Sequence, residues 1–461
     1  MAEAGTERAG ADDDPMGLDP RRVEPILDAV AARDTLRLTA LMEPLHAADI
    51  ADLLEQIGPS ERRALLALWS GQIDGEILSE IDDSIREEVI GNLSPKVLAY
   101  AVRELETDDL VDILEDVEAP QQAIILAALE DADRVAVEAA MGYPEHSAGR
   151  LMQREVVLAP LHWTVGEAID HLRSATGLPE QFYHVILVDP RMKPQAYVTL
   201  GRILSSPREA ALRALSEDSF RTVVATDPEA DVAYIFNQYH LISCPVVDAN
   251  DRLVGVITID DAMNVLDEEH EEDILRLAGV GDESNVSDGP WATARTRLPW
   301  LVINLFTASI SAFVISRFEH TIATLVTLAA LMPIVASTGG IAGTQSLAVS
   351  VRALATRDLT SSNARRVVRR ELGAGMVNGV ALALILGFAG YAIFGDPRLG
   401  VVLGMAMISN QVVAALGGVL VPLGLHRLGL DPALASGTFV TTLTDVLGYL
   451  AFLGFATVLL L

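Results

Sequence analysis

Five long apolar stretches follow one another after Trp291, and they constrain the fold of this 461-residue chain more than any other feature. Each comes close to or exceeds the roughly 20 residues that a helix needs to cross about 30 Å of hydrocarbon. A soluble core could not bury five such stretches in succession. We therefore predict a transmembrane domain over residues 291–461, with spans at 298–316, 321–350, 372–394, 399–425 and 434–461.

The charged residues divide unequally at the same point of the chain. The whole chain carries 33 Lys and Arg against 64 Asp and Glu, a net charge of −31. Residues 291–461 hold 11 Arg, no Lys and 6 acidic residues, so residues 1–290 have a net charge of −36. A surface this acidic repels nucleic acid and attracts cations. The alternative is that the charge only keeps the soluble part in solution.

The arginines between the spans predict the orientation in the membrane. The first and third loops carry only Arg317 and Arg398, whereas the second loop carries Arg352, Arg357, Arg365, Arg366, Arg369 and Arg370. By the positive-inside rule the second loop and residues 1–290 are cytosolic, and five spans place the C-terminus outside the inner membrane. Residues 1–21 are acidic without an apolar run, which predicts a disordered tail and not a signal peptide.

The predicted membrane part contains residues that are uncommon in transmembrane helices: two carboxylates and a glycine-rich segment. Asp445 lies inside the fifth stretch, where an ionised side chain costs about 3 kcal/mol or more, so a functional role is the default interpretation. The alternative is a buried, hydrogen-bonded aspartate. Asp431 precedes that stretch and would also serve as a helix N-cap ahead of Pro432. Residues 332–346 read MPIVASTGGIAGTQS, a segment that either lines a water-filled path or packs closely against other helices.

The cytosolic part contains two internal repeats. In the first, HAADIADLLEQIGP at 46–59 matches ETDDLVDILEDVEAP at 106–120, and apolar residues recur every three or four positions over 22–140. This pattern predicts a stacked, superhelical N-terminal domain of α-helices. In the second, residues 151–208 and 210–267 share an order of strand, helix, strand, turn, strand and helix. PVVDANDRLVGVITIDDAM at 245–263 resembles the second half of a CBS domain, so we expect a regulatory pair of CBS domains over residues 141–267.

An acidic helix is expected to connect this pair to the membrane part over residues 268–290. The segment DEEHEEDILRLAG at 267–279 places like charges four residues apart, at Glu268 and Glu272 and at Glu269 and Asp273. Such pairs destabilise a helix by a few tenths of a kcal/mol each. Cation binding would relieve the repulsion, although a solvated acidic face is the ordinary alternative.

Taken together, residues 22–461 resemble the MgtE family of magnesium channels. The order of domains matches, and family-like segments are YPEHSAGRLM (143–152), RLPWLVINL (297–305), RALATRDL (352–359), GLDPALAS (429–436) and TTLTDVLGYL (441–450). The resemblance implies a homodimer whose pore lies on the two-fold axis, lined by the second and fifth spans. It also implies import of Mg²⁺ and closure of the pore when cytosolic Mg²⁺ binds.

The resemblance further implies a set of metal-facing residues. Asp445 matches the pore aspartate of the family, and Asp431 matches the aspartate that faces the connecting, or plug, helix. Asp108 and Asp112 match N-domain carboxylates that share Mg²⁺ with the CBS pair. The matching positions at the end of the CBS pair and in the plug helix are Asp261, Glu269, Glu272 and Asp273.

This chain departs from the family pattern at some positions. Ile341 replaces an asparagine of the second span, which removes a polar side chain from that position. Some relatives bind ATP between the CBS domains, but Gly201 stands where an arginine is expected, so ATP binding stays an open alternative without assigned residues. The chain has no GxxxxGK[ST] segment, so we expect downhill uptake.

Other readings of the same architecture remain open. One is a channel for a different divalent cation, such as Co²⁺ or Mn²⁺, although all-oxygen ligands disfavour the softer metals. Another is a membrane-anchored Mg²⁺ sensor that conducts nothing. An enzyme is disfavoured, since the spans carry no HExxH, GxSxG or Cys/His pair.

Overall fold

The computed structural model describes residues 18, 20–103, 105–175, 178–179, 181–217, 220–280, 289–360, 362–435 and 437–461. The chain forms two compact units, residues 1–269 and residues 270–461, and each is described by itself. Most of the predicted tail, residues 1–17, and part of the predicted connecting segment, residues 281–288, lie outside the described residues. The boundaries drawn between domains from sequence therefore stay predictions.

The N-terminal part of the first unit is a stack of short helices. Their starts are fixed by local chemistry: Asp74 and Ser94 accept hydrogen bonds from the first turns, and Pro59 and Pro95 occupy first helical positions. The helices are α1 (Pro20–Ala31), α2 (Thr35–Met42), α3 (Ala47–Gln56), α4 (Pro59–Trp69), α5 (Gly75–Ser79), α6 (Asp83–Asn92), α7 (Pro95–Ala101), α8 (Thr107–Asp116), α9 (Ala119–Ala128) and α10 (Asp131–Ala140).

The predicted helical repeat is confirmed by α3 and α8. Ile50, Leu53 and Leu54 of α3 are buried, and so are the residues sixty positions later in α8, namely Leu110, Ile113 and Leu114. Both helices turn the same apolar face into one continuous core. As a result, the acidic residues between these positions are left on the opposite face of each helix.

The α/β repeat is confirmed as two three-stranded sheets of identical topology. The first contains β1 (Leu158–Pro160), α11 (Val165–Ser174), β2 (His184–Val188), β3 (Pro194–Thr199) and α12 (Leu200–Ser205), and the second contains β4 (Val223–Val224), α13 (Glu229–Tyr239), β5 (Ser243–Val247) and β6 (Leu253–Thr258). In each sheet the first strand pairs parallel to the second, which pairs antiparallel to the third. A capping box of Thr164 and Glu167 opens α11.

Helix α14 (Ile259–Ala278) begins directly after β6 and is 20 residues long. It carries Asp261 in its first turn and the predicted acidic run along its second half. The predicted connecting helix is thus continuous with the last helix of the α/β repeat, at least as far as Ala278.

The second unit contains the long apolar helices. They are α15 (Pro290–Ser316), α17 (Thr327–Ala355), α18 (Ala364–Phe394), α19 (Pro397–Arg427) and α20 (Gly437–Leu460), with the short α16 (Glu319–Thr324) between the first two. Among the described residues, five helices are long and apolar enough to cross a membrane. The predicted start of the second span at residue 321 is wrong, because Leu325 is non-helical (φ −128°, ψ 75°) and separates α16 from α17.

Helix α17 passes through Pro333 and its glycines without interruption. The glycines serve close helix packing: a Cβ on Gly343 would lie 2.6 Å from Val440 Cγ1 of α20, and one on Gly418 of α19 would lie 2.7 Å from the Gly343 carbonyl oxygen. Small residues let helix backbones approach in this way inside a membrane. The glycine-rich segment therefore holds α17, α19 and α20 together.

Candidate functional site

The first unit contains a large acidic cavity of about 1430 Å³ between the helical stack and the α/β repeat. Its described lining includes one basic side chain, Arg86, and fourteen carboxylates: Asp49, Asp52, Glu55, Asp74, Glu76, Glu80, Asp82, Asp83, Glu106, Asp109, Asp112, Asp260, Asp261 and Glu268. The cavity is formed because α3, α5, α6 and α8 present their polar faces to the start of α14. Such a concentration of like charge favours cation binding.

One group of carboxylates at and beside the wall of this cavity is partly or fully removed from water. Asp108, in the first turn of α8, is only 7% exposed, and burial together with the charge of Asp261 raises its pKa well above the usual value. Burial also raises the pKa of Glu106, Asp109 and Asp261 to about 7, and neighbouring carboxylates add to each shift. Asp261 is oriented by Thr258, whose Oγ1 donates to Asp261 Oδ2 at 2.7 Å. The structure thus brings two predicted site residues, Asp108 and Asp261, together.

The acidic run of α14 contributes to the same cavity through Glu268. Burial and the charges of Asp83 and Asp112 raise the pKa of Glu268 to about 7. The predicted site residue Glu269, one position later, is not among the described residues that line the cavity. The direction of the helix at this point decides which of two adjacent glutamates faces the cavity.

Asp112, another predicted site residue, lies in a cluster organised by a buried arginine. Asp83, Asp112 and Asp116 each place a carboxylate oxygen within 4.8 Å of the others. Arg86 is 4% exposed and donates to Asp112 Oδ2 at 2.7 Å and also to Asp116. Because a guanidinium already neutralises this cluster, Asp112 is a weaker candidate for a metal ligand than Asp108 or Asp261.

Direct hydrogen bonds also join α8 to the segment that leads into the α/β repeat. Thr107 Oγ1 donates to Glu155 Oε1 at 2.9 Å, and Gln153 Nε2 donates to Glu106. Arg150 forms an ion pair with Glu115 near the other end of α8. These contacts hold the carboxylates of α8 close to Asp261.

In the second unit, three predicted site residues surround one arginine. Arg276 Nη1 donates to Asp431 Oδ2 at 2.7 Å, and Arg276 Nη2 lies 2.7 Å from Glu272 Oε2. Asp431 also accepts a hydrogen bond from the backbone of Ala433 at 2.8 Å, as its predicted capping role requires. Burial and the charge of Asp431 raise the pKa of Asp273. The arrangement fastens the end of α14 to the turn that precedes α20.

Asp445 lies in the middle third of α20 and is partly exposed at the surface of the single chain. Beside it, Val440 and Thr444 pack against Gly343 of α17. Helix α17 exposes Ser337, Ile341 and Gln345, four residues apart, so these three side chains form one stripe along the helix. A carboxylate on α20 and polar groups on α17 are therefore accessible at membrane depth.

Sequence reasoning missed several residues of these sites. Glu106 and Asp109 lie on either side of the predicted residue Asp108. Their position next to the apolar face of a helix could have marked them as carboxylates removed from water. Arg276 follows Glu272 by four residues, a spacing typical of helical ion pairs. Glu371 of α18 accepts a hydrogen bond from Ser346 of α17 at 3.0 Å, and its place at the edge of an apolar stretch could have marked it. No sequence pattern indicated that Arg86 is buried and bound to carboxylates of α8.

Comparison with known families gives matches to three parts of the chain. The family described as "MgtE: Divalent cation transporter" matches residues 332–455. The MgtE intracellular N domain matches residues 45–146, and the CBS domain matches residues 212–268. The match over 212–268 covers the second α/β repeat, which contains the segment that resembled a CBS half.

Similar proteins match this chain over most of its length. The magnesium transporter MgtE of Thermus thermophilus is 34% identical over 440 residues, covering 94% of this chain and 97% of that protein. The magnesium transporter MgtE of Bacillus subtilis is 27% identical over 418 residues, covering 91% of this chain and 93% of that protein. A solved structure of the cytosolic domain of the Mg²⁺ channel MgtE in complex with ATP is 27% identical and has a TM-score of 0.48, covering 53% of this chain and 99% of that one. This chain is a multi-pass membrane protein of the MgtE family.

Proposed function

We propose that this chain forms a homodimeric channel that imports Mg²⁺ across the inner membrane and closes when cytosolic Mg²⁺ binds its acidic cavity. The observation that carries the proposal is a group of one buried carboxylate, Asp108, and three half-buried ones, Glu106, Asp109 and Asp261, which lie together with raised pKa values. We infer that the transported cation is Mg²⁺ because the relatives are named magnesium transporters.

The donor set of the cavity fits Mg²⁺. Its lining offers carboxylate oxygens and the side chains of Gln153 and Asn264, with no cysteine or histidine among the described lining residues. Mg²⁺ prefers hard oxygen ligands and keeps several of its waters, so a wide cavity with many carboxylates suits it better than a tight cage. Asp108, Asp261 and Glu268 are the residues that we expect to hold it.

Electrostatic repulsion supplies the energy for the regulatory step. Two carboxylates about 4 Å apart repel by roughly 4 kcal/mol at an effective dielectric constant of 20. A divalent cation between α8 and α14 converts that repulsion into attraction. The ion shifts the equilibrium between open and closed forms because it binds the closed form more tightly.

Helix α14 connects this event to the membrane part. The same helix carries Asp261 in its first turn, Glu268 in the middle and Arg276 near its end. A change in the position of its first half is therefore transmitted along the helix, because an α-helix of 20 residues behaves as a rigid rod of about 30 Å.

The accessibility of Asp445 supports a dimer with the pore between two copies. A carboxylate exposed to lipid costs about 3 kcal/mol or more. Asp445 is partly exposed on a single chain, so we expect another protein surface to shield it from lipid. A second copy that brings its own Asp445 and its own α17 stripe across the axis would surround a hydrated path. Hydrated Mg²⁺ would be held there through its water shell, strongly enough to enter and weakly enough to leave.

The membrane potential drives uptake without a nucleotide. Moving a divalent ion across an inside-negative potential of 100 mV releases about 4.6 kcal/mol. The test is flux of Mg²⁺ into proteoliposomes that contain the full chain, with Co²⁺ and Mn²⁺ as competitors. Saturable Mg²⁺ flux that falls when Mg²⁺ is raised on the cytosolic side supports the proposal. Faster flux of Co²⁺ or Mn²⁺ would favour the other-cation reading, and absence of all flux would favour the non-conducting sensor.

A further inference from the structure

A buried amide on α19 lies where α17 meets α20, the helix that carries Asp445. Asn410 is 1% exposed. A Cβ on Gly339 of α17 would lie 2.6 Å from Asn410 Cγ, and a Cβ on Gly448 of α20 would lie 2.8 Å from Asn410 Nδ2. Both helices therefore lack a side chain at the point where this one amide fills the space between them.

The amide is bound on one side only. Asn410 Nδ2 donates to the backbone carbonyl of Val335 at 2.8 Å, one turn before Gly339 on α17. Asn410 Oδ1 is buried, and among the described residues it has no hydrogen-bond partner. A polar atom without a partner is unfavourable at membrane depth, so the amide is costly at this position.

The position of the amide relates it to the conduction path. Gly448 follows Asp445 by three residues, so the two lie on neighbouring turns of the same side of α20. On α17, Gly343 packs against Val440 and Thr444, which precede Asp445 on α20 by five residues and one residue. The bond from Asn410 to Val335 fixes α17 to α19, and the packing of the same amide against Gly448 places α20 beside them.

We propose that Asn410 is a positioning residue that sets the spacing of α17 and α20 and thereby the rate and cation selectivity of the Asp445 path. The inference rests on the proposed function, since it names a further residue that shapes the same path. Asn410 touches no ion in this role; it acts through the backbone of α17 and the turn of α20.

The first experiment measures spacing without reference to flux. Spin labels on Ile334→Cys of α17 and Leu450→Cys of α20, in a Cys244→Ser background, report the distance between the helices in the full-length protein. Both label positions are exposed, at 43% and 50%. We expect Asn410→Leu to shift or broaden the distance distribution, while the adjacent buried amide change Gln411→Leu leaves it near that of the parent.

The second experiment measures flux per folded protein. A polar contact between membrane helices contributes about 1 kcal/mol, so Asn410→Leu should lower Mg²⁺ flux by roughly tenfold or less and change the ratio of Mg²⁺ to Co²⁺ flux. Gln411→Leu, whose amide reaches Thr338 only at 3.4 Å, is the matched control. A flux loss that merely follows loss of folded protein, measured by the thermal midpoint, would assign Asn410 a structural role and overturn the inference.

A third variant separates the amide from simple packing. Gly448→Ala collides with Asn410, and Asn410→Ala removes the collision while it deletes the hydrogen bond. If the amide is needed, the double variant stays impaired in spacing and selectivity. Recovery of both in the double variant shows that volume alone matters and overturns the inference. Absence of Mg²⁺ flux in the parent protein would contradict the proposed function, and the spin-label distances would still decide the role of Asn410.

Discussion

Arg276 Nη1 donates a hydrogen bond of 2.7 Å to Asp431 Oδ2. Sequence reasoning expected Asp431 to face a metal ion, and the structure places the guanidinium of Arg276 beside it. The same guanidinium reaches Glu272 at 2.7 Å. The end of α14 is consequently held at the turn before α20 by this arginine. Mg²⁺ bound in that region would add to an existing contact. Asp273, whose pKa is raised by burial and by the charge of Asp431, is the further carboxylate available to it.

The first prediction concerns this contact. Arg276→Gln leaves Asp431, Glu272 and Asp273 to repel one another, so we expect a higher cytosolic Mg²⁺ concentration to be needed for closure. A partly exposed pair contributes up to about 1 kcal/mol, which corresponds to a shift of roughly fivefold. Flux measured against cytosolic Mg²⁺ tests this, with Arg276→Lys as the charge-preserving control. Equal closing concentrations for all three proteins would show that the pair has no part in gating.

The second prediction concerns the pore. Asp445→Ala removes a carboxylate that we expect to attract the hydrated ion, and such an interaction is worth several kcal/mol at an effective dielectric constant of 20. Mg²⁺ flux should fall by more than about 100-fold. Asp396→Ala, which removes the N-cap of α19, is the control for losing an aspartate from this unit. Undiminished flux at equal expression of Asp445→Ala would remove Asp445 from the path.

The third prediction concerns the acidic cavity. Asp261→Asn keeps the shape of the side chain and removes its repulsion from Asp108, so the protein without Mg²⁺ should unfold at a temperature a few degrees higher. The further rise on addition of Mg²⁺ should be smaller than in the parent. Asp133→Asn changes an exposed carboxylate outside the cavity and should leave both values unchanged. An unaltered Mg²⁺-induced shift in Asp261→Asn would place regulatory binding elsewhere.

The fourth prediction concerns pH. The pKa values of Glu106, Asp109, Asp261 and Glu268 are raised to about 7 in the folded protein, above their ordinary values near 4. Raised carboxyl pKa values mean that the folded state binds protons more tightly than the unfolded state. Their contribution to stability is therefore fully present below about pH 4 and is lost as the pH rises through about 7.

Thermal unfolding of the full chain in detergent provides the measurement. Without Mg²⁺ this contribution should raise the midpoint at pH 6 relative to pH 8, and saturating Mg²⁺ should reduce the difference because the ion replaces the protons. Mg²⁺ binding at pH 7 should also release protons, measurable in buffers of different ionisation enthalpy. A pH dependence that Mg²⁺ leaves intact would mean that these carboxylates do not bind the ion.

The fifth prediction concerns the departure at Ile341. This side chain is 58% exposed on the α17 stripe between Ser337 and Gln345. Ile341→Asn restores the polar residue expected for the family and should change the rate or the ratio of Mg²⁺ to Co²⁺ flux. Ile334→Asn, an exposed position on the same helix, serves as the control. Parent-like transport by Ile341→Asn would mean that backbone groups, and not this side chain, meet the ion.

Much of the architecture followed from periodicity. The five apolar stretches, the sixty-residue offset between α3 and α8, and the repeated strand order were predictable because burial imposes a period on each element. The start of the second span was misplaced because apolar character continues through Leu325, whereas the backbone there leaves the helix. Amino-acid composition alone does not predict such a break in a helix.

The sequence by itself determined that a strongly acidic soluble part precedes a five-span membrane part, and it supplied a set of candidate carboxylates in both. Only the tertiary structure decided which of them meet. Asp108 and Asp261, more than 150 residues apart, lie together because α8 docks beside the start of α14. Glu268 and not Glu269 faces the cavity, and Arg86 and Arg276 neutralise carboxylates that looked available. The reason is physical: periodicity records which face of an element is buried, but the pairing of charges depends on which elements pack against one another.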